Sequence, residues 1–101
     1  MYLIQILLPL YDNEGESFER KVYDRVRDEL MKKFGGVTAF RGSPAEGIWS
    51  EGGQISRDTI IIFEVMTREL EREWWATYRA GLEDRFRQEK MIVRASPIEQ
   101  L

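Results

Sequence analysis

Asp58-Thr-Ile-Ile-Ile-Phe-Glu-Val-Met66 decides how this chain is read. Three consecutive isoleucines followed by Phe and Val suit a pleated surface, where branched and aromatic side chains pack well. Alternation sends Thr59, Ile61, Phe63 and Val65 to one face and Ile60, Ile62, Glu64 and Met66 to the other. The stretch is a strand with one face apolar except for Thr59 and a second that is apolar except for a carboxylate.

Toward the C-terminus the period changes from two to four. Leu70, Trp74, Tyr78, Leu82 and Phe86 recur along a predicted helix from Arg68 to Gln88, with Thr67 as its N-cap. Gly81 sits inside it at a cost of about 1 kcal/mol relative to Ala, or permits close packing on a neighbour. Met91 to Ala95 reads as a last strand, ended by Pro97.

Toward the N-terminus, Gly42 to Arg57 shows no period and holds Pro44, Gly47, Gly52 and Gly53. It is read as irregular, with Ile48 and Trp49 as a short extended piece and the Gly52-Gly53 pair as a turn. Val37 to Arg41 reads as a strand. Before it, Phe18, Val22, Val26, Leu30 and Phe34 mark a helix from Ser17 to Phe34, stopped by Gly35 and Gly36. Its other face carries Glu16/Arg20, Arg25/Glu29, Asp28/Lys32 and Glu29/Lys33 at i, i+4 spacing. Tyr11 to Glu16 is a turn, with an Asn13/Glu16 capping box or Ser17 as the helix cap. Tyr2 to Leu8, bounded by Pro9, is the first strand.

The order β-α-β-β-α-β is the split βαβ arrangement. It predicts one α+β domain over residues 1–101 with the ferredoxin-like fold: a four-stranded antiparallel sheet with two helices on one face. The first and third strands are central, with the fourth beside the first and the second beside the third. The more apolar strand faces belong under the helices. The open face then carries Leu3, Leu7, Ile60, Ile62 and Ile92, with Gln5, Glu64 and Arg94 among them. An apolar patch of this kind marks an interface or a cavity, and the expectation is a homodimer packed sheet against sheet.

With that open face, the chain resembles the dimeric α+β-barrel superfamily. More narrowly, Phe34-Gly-Gly-Val-Thr-Ala-Phe40, Ala45-Glu-Gly-Ile-Trp49, Arg57-Asp58 and Ile62-Phe-Glu-Val65 resemble a group of small uncharacterised bacterial proteins, with a weaker likeness in Arg94 to Leu101. The resemblance implies pairing through the sheets and a small-molecule pocket between sheet and helices. Enzymes of that superfamily, such as cofactor-free monooxygenases, heme-degrading enzymes and dehydratases, often use a His or a particular Asn. This chain has no His, and its one Asn is Asn13 in the turn.

Composition narrows the chemistry further. The chain has 101 residues, no Cys and no His. Thiolate nucleophiles, disulfides, Cys- or His-ligated metals and Ser-His triads are excluded. A formal net charge of −3 argues against nucleic acid as a partner. No basic segment precedes the first apolar run, and that run stops at Pro9, about half of a membrane span. The reading is a cytoplasmic protein without membrane partner, resident metal or cofactor.

The candidate site residues are Glu64, Arg94, Gln5, Arg41, Trp49 and Arg57. Glu64 and Arg94 fall in interior strands, where a charge is costly unless paired, and Gln5 belongs between them. Arg94 suits an anion clamp and Glu64 a base, or the two form a structural pair. Trp49 stacks on a planar ligand with Arg41 and Arg57 binding an anion, or anchors its segment to the core. Trp74 and Tyr78 are assigned to packing, and Trp75, one step off the row, to a pocket, edge or partner. Three functions are compatible: a homodimer with a small-molecule pocket at the sheet face; a cofactor-independent enzyme with a carboxylate or Tyr base and an Arg clamp at Arg94 or Arg41; and an interaction module without ligand.

Overall fold

A computed structural model gives the fold. It describes the backbone of residues 1–51 and 54–101, and the side chains of residues 1–40 and 60–101. Strand β1 (Tyr2–Pro9) leads to helix α1 (Arg20–Phe34), strands β2 (Thr38–Glu51) and β3 (Gln54–Thr67), helix α2 (Arg72–Arg85) and strand β4 (Ile92–Pro97). The sheet order is β2-β3-β1-β4, antiparallel throughout. This is the ferredoxin-like βαββαβ arrangement the periodicity predicts.

The strand faces divide as expected. Ile4, Ile6, Leu8, Ile61, Phe63 and Val65 are buried in one cluster with Val26 and Leu30 of α1 and Leu82 of α2. Both helices therefore lie on one side of the sheet. Phe18 packs edge-on against Phe86 at 5.1 Å, and Tyr23 lies 5.6 Å from Phe86. Tyr23 also donates its hydroxyl proton to the Pro9 carbonyl at 2.7 Å, fixing α1 to the end of β1.

Four local expectations change. First, Gly42 to Arg57 is not irregular. Ala45–Glu51 pairs in register with Gln54–Ile60, so β2 and β3 are long, with a register shift between Phe40 and Ala45. Pro44, which has no N–H to offer a ladder, falls at that shift. The expectation of a turn at Gly52-Gly53 lies outside the described residues. Second, α1 begins at Arg20, with Glu19 at the cap making no side-chain capping bond. Neither Asn13 nor Ser17 caps it. Asp12 instead accepts the amides of Glu14 and Glu16, each at 2.9 Å, and shapes the preceding turn.

Third, α2 begins at Arg72 rather than Arg68, and Thr67 donates to the Glu69 carbonyl at 2.9 Å instead of capping the helix. Fourth, Trp75, not Trp74, is the tryptophan buried under α2, at 6% exposure. It stacks on Phe34 at 5.3 Å, and Trp74 meets it edge-on at 4.8 Å. Of the i, i+4 pairs expected on α1, Arg25–Glu29 forms at 3.8 Å, while Lys33 reaches Glu71 of the α2 cap at 3.3 Å instead of Glu29.

Candidate functional site

The register builds a layered open face. Phe40, Ile62, Leu7 and Ile92 stand opposite one another across all four strands. Two residues along, Thr38, Glu64, Gln5 and Arg94 form the next row. Beyond it come Met66 and Leu3, paired across β3 and β1. A polar row thus lies between apolar ones. Phe40, Met66 and Ile92 are 46%, 51% and 48% exposed, which is high for side chains of that size.

The polar row is hydrogen-bonded from Glu64 to Arg94. Gln5 Nε2 donates to Glu64 Oε1 at 2.7 Å, and Arg94 Nε donates to Gln5 Oε1 at 2.7 Å. The Gln5 amide is a two-sided relay: its NH₂ serves the carboxylate and its carbonyl serves the guanidinium. An amide side chain supplies a donor and an acceptor in this way. Glu64 and Gln5 are half-buried and Arg94 is exposed, so the charges keep water on one side and avoid the full cost of burial.

Glu64 also lines an open cleft of about 490 Å³. Strand β2 begins at Thr38, opposite Glu64, so Val65 and Met66 have β1 on one side and no strand on the other. The chain leaving α1 at Gly35 and Gly36 crosses this notch, and Phe34, Val37 and Leu3 complete its walls. Gly35 has φ +79°, the left-handed geometry that ends α1 and turns the chain into the notch. Glu64 is the one ionisable side chain among the described lining residues.

Of the six residues singled out from sequence, three come together: Glu64, Gln5 and Arg94. The side chains of Arg41, Trp49 and Arg57 lie outside the described residues. By register, Trp49 pairs with Ser56 and Arg57 with Ile48, toward the far end of the β2–β3 pair from Glu64. Sequence reasoning missed the cleft, because Phe34 to Val37 read as a helix stop and the start of a strand. It also missed a second polar cluster, where Arg85 of α2 meets Glu29 of α1 at 2.6 and 2.7 Å and Tyr78 donates to the same carboxylate at 3.0 Å. Among the described residues, no group of three or more carboxylates stands close enough to hold a metal ion. No described helix is long and apolar enough to cross a membrane.

No family model matches the chain, and no curated protein matches it. Solved structures do. The periplasmic divalent cation tolerance protein CutA from Archaeoglobus fulgidus aligns with a TM-score of 0.64 and 22% identity, over 99% of this chain and 86% of that one. The divalent cation tolerance protein from Thermus thermophilus aligns at 0.65 with 14% identity, over 99% and 86%. A phage SAM lyase in complex with S-methyl-5′-thioadenosine aligns at 0.62 with 16% identity, over 94% and 79%. At these identities the likeness is one of fold. It shows the ferredoxin-like α+β fold, while the likeness to the dimeric α+β-barrel superfamily and the narrower bacterial one rest on the sequence alone.

Proposed function

We propose that this chain works as a cytoplasmic homodimer, paired through the open face of its sheet, with a small-molecule site at the cleft beside Glu64. The observation that carries the reading is the Glu64–Gln5–Arg94 row set between exposed apolar rows. A second copy suits this face because the row is self-complementary. Rotation about a two-fold axis along β1, lying between the two sheets, sets Glu64 of each copy over the partner's Arg94. The apolar rows then fall on apolar rows, the isologous pattern of a two-fold interface.

The small-molecule part rests on the cleft: a concave notch in which Leu3, Phe34, Val37 and Met66 stand beside polar backbone, Thr38 and one carboxylate has the mixed lining that a ligand site needs. A phage lyase of the same fold, solved with S-methyl-5′-thioadenosine, supports the idea that the architecture holds small molecules.

Light scattering at micromolar concentration tests the pairing, with a mass twice the 12.0 kDa of one chain expected. Ile62→Lys, on the exposed apolar row, is expected to give a folded monomer. A monomeric wild-type chain overturns the dimer. Unchanged melting in a broad metabolite screen, together with unchanged melting of Glu64→Gln in the same screen, counts against the ligand site.

A further inference from the structure

The helix side of the sheet holds a second cleft, about 220 Å³, between α2 and the β1–β4 edge. It exists because α2 leaves β4 partly uncovered. Met91 is buried at the start of the last strand, but Val93 is only half-buried and Ala95 is exposed on the same side. Ile4, Leu70, Trp75 and Val93 form an apolar floor.

Arg72 and Arg79 line the same cleft. They are seven residues apart, about two helical turns, so they project from one side of α2. The described lining contains no carboxylate. Arg72 has no ion-pair partner among the described residues. Arg79 lies 3.9 Å from Glu83, whose Oε2 already accepts the Met91 amide at 2.9 Å. Two cations with a weak ion-pair partner or none among the described residues flank an apolar slot along the first two turns of α2.

Trp75 supplies a reporter for this cleft. Its side chain forms part of the wall, while its indole Nε1 is closed off from solvent and has no hydrogen-bond partner among the described residues.

We infer that this cleft binds a small organic anion, a carboxylate carrying a short apolar chain. The guanidiniums take the carboxylate, as planar forked donors do well. The chain lies on Ile4, Leu70 and Val93. The volume is below the 300–1,000 Å³ or so typical of drug-sized ligands, which limits the tail to a few carbons. The site is on the opposite side of the sheet from Glu64 and stands or falls independently of the pairing proposed above.

The test is a titration of the ¹⁵N-labelled protein with sodium hexanoate at constant ionic strength, with hexylamine hydrochloride as the matched cation. Trp75→Phe assigns the Trp75 indole N–H resonance. Saturable shifts of that resonance and of the Arg72–Arg79 amides are expected with hexanoate and not with hexylamine. Arg72→Gln/Arg79→Gln should weaken the apparent affinity at least tenfold while circular dichroism stays native, because Gln keeps the helix propensity. Val93→Glu, which sets a carboxylate on the floor, should abolish the shifts by itself and guards against a misfolded double variant. Absence of saturable shifts, equal shifts with hexylamine, or undiminished binding by the folded double variant overturns the inference.

Discussion

Arg85 on α2 grips Glu29 on α1 through two parallel hydrogen bonds, Nη1 to Oε1 at 2.6 Å and Nη2 to Oε2 at 2.7 Å. Tyr78 adds a third bond to Oε1 at 3.0 Å, and Arg25 approaches Oε2 at 3.8 Å. One carboxylate thus ties the two helices together where the core ends. Bidentate charge-assisted pairs exceed ordinary surface ion pairs in strength. Both side chains are partly exposed, however, which keeps the gain near the upper end of the surface range. A double-mutant cycle of Glu29→Ala and Arg85→Ala in urea unfolding should give a coupling of about 1 kcal/mol. A coupling below about 0.3 kcal/mol would place the pair with the weak surface bridges.

The same cluster has a pH signature. Hydrogen bonding from Arg85, opposed by burial and aided by Tyr78, holds the Glu29 carboxyl below its ordinary value of 4.5. A carboxyl depressed in the folded state contributes stability that is complete above its unfolded pKa and is lost as pH falls through the folded one. Wild-type stability should therefore fall with acid below about pH 4.5, and more steeply than that of Glu29→Gln. Parallel acid slopes for the two proteins would remove Glu29 as the cause. On the alkaline side, burial first and the Glu29 charge second raise the Tyr78 phenol above its ordinary 10.0. Ultraviolet titration of the folded protein should show a phenol ionising above the ordinary tyrosine range, and Tyr78→Phe should remove that contribution.

The polar row on the open face makes a different demand. Gln5 faces Glu64 on one neighbouring strand and Arg94 on the other, and its amide bonds to both. Coupling between the two charged residues within one chain passes through that amide. Glu64→Ala and Arg94→Ala should couple by about 0.5 kcal/mol, in the range of cross-strand polar pairs. The coupling should vanish in a Gln5→Leu background. A coupling that survives Gln5→Leu would mean that the charges act through space or across a dimer interface. The cycle is therefore best repeated in the monomeric Ile62→Lys variant.

Much of this architecture was legible because strands announce their faces by alternation. Ile61, Phe63 and Val65 point to the core as their spacing requires, and Gln5 falls between Glu64 and Arg94 because the strand order puts β1 between β3 and β4. Two features were not legible, for distinct physical reasons. The long β2–β3 pair hides in Gly42 to Arg57 because its ladder is interrupted by a register shift at Pro44, which destroys the period-two pattern. The four-residue row that marks α2 in the sequence drifts around a helix of 3.6 residues per turn and so misplaces its buried face. Trp75, Leu82 and Phe86, the buried set, are spaced seven and four residues apart and stay on one line. The Glu29–Arg85 grip joins residues 56 apart in sequence and needs the relative placement of two helices, which no local pattern encodes.

Gly81 offers the simplest stabilising change. Glycine in a helix interior costs about 0.5–1 kcal/mol relative to Ala, through the backbone entropy it loses on folding. Close packing against a neighbour would justify that cost, but a Cβ built at Gly81 meets nothing within 4 Å, and the residue lies inside α2 without a positive φ. Gly81→Ala should therefore raise stability by about 0.5–1 kcal/mol, or about 3–6 °C in melting temperature for a domain of this size. Gly35→Ala supplies the control. Space is equally open there, but its φ of +79° is left-handed, so the added Cβ is strained and should cost about 1 kcal/mol. The two substitutions add the same methyl into empty space and should differ in sign because of backbone conformation alone. Equal effects in thermal unfolding would show that α2 is not a regular helix at Gly81.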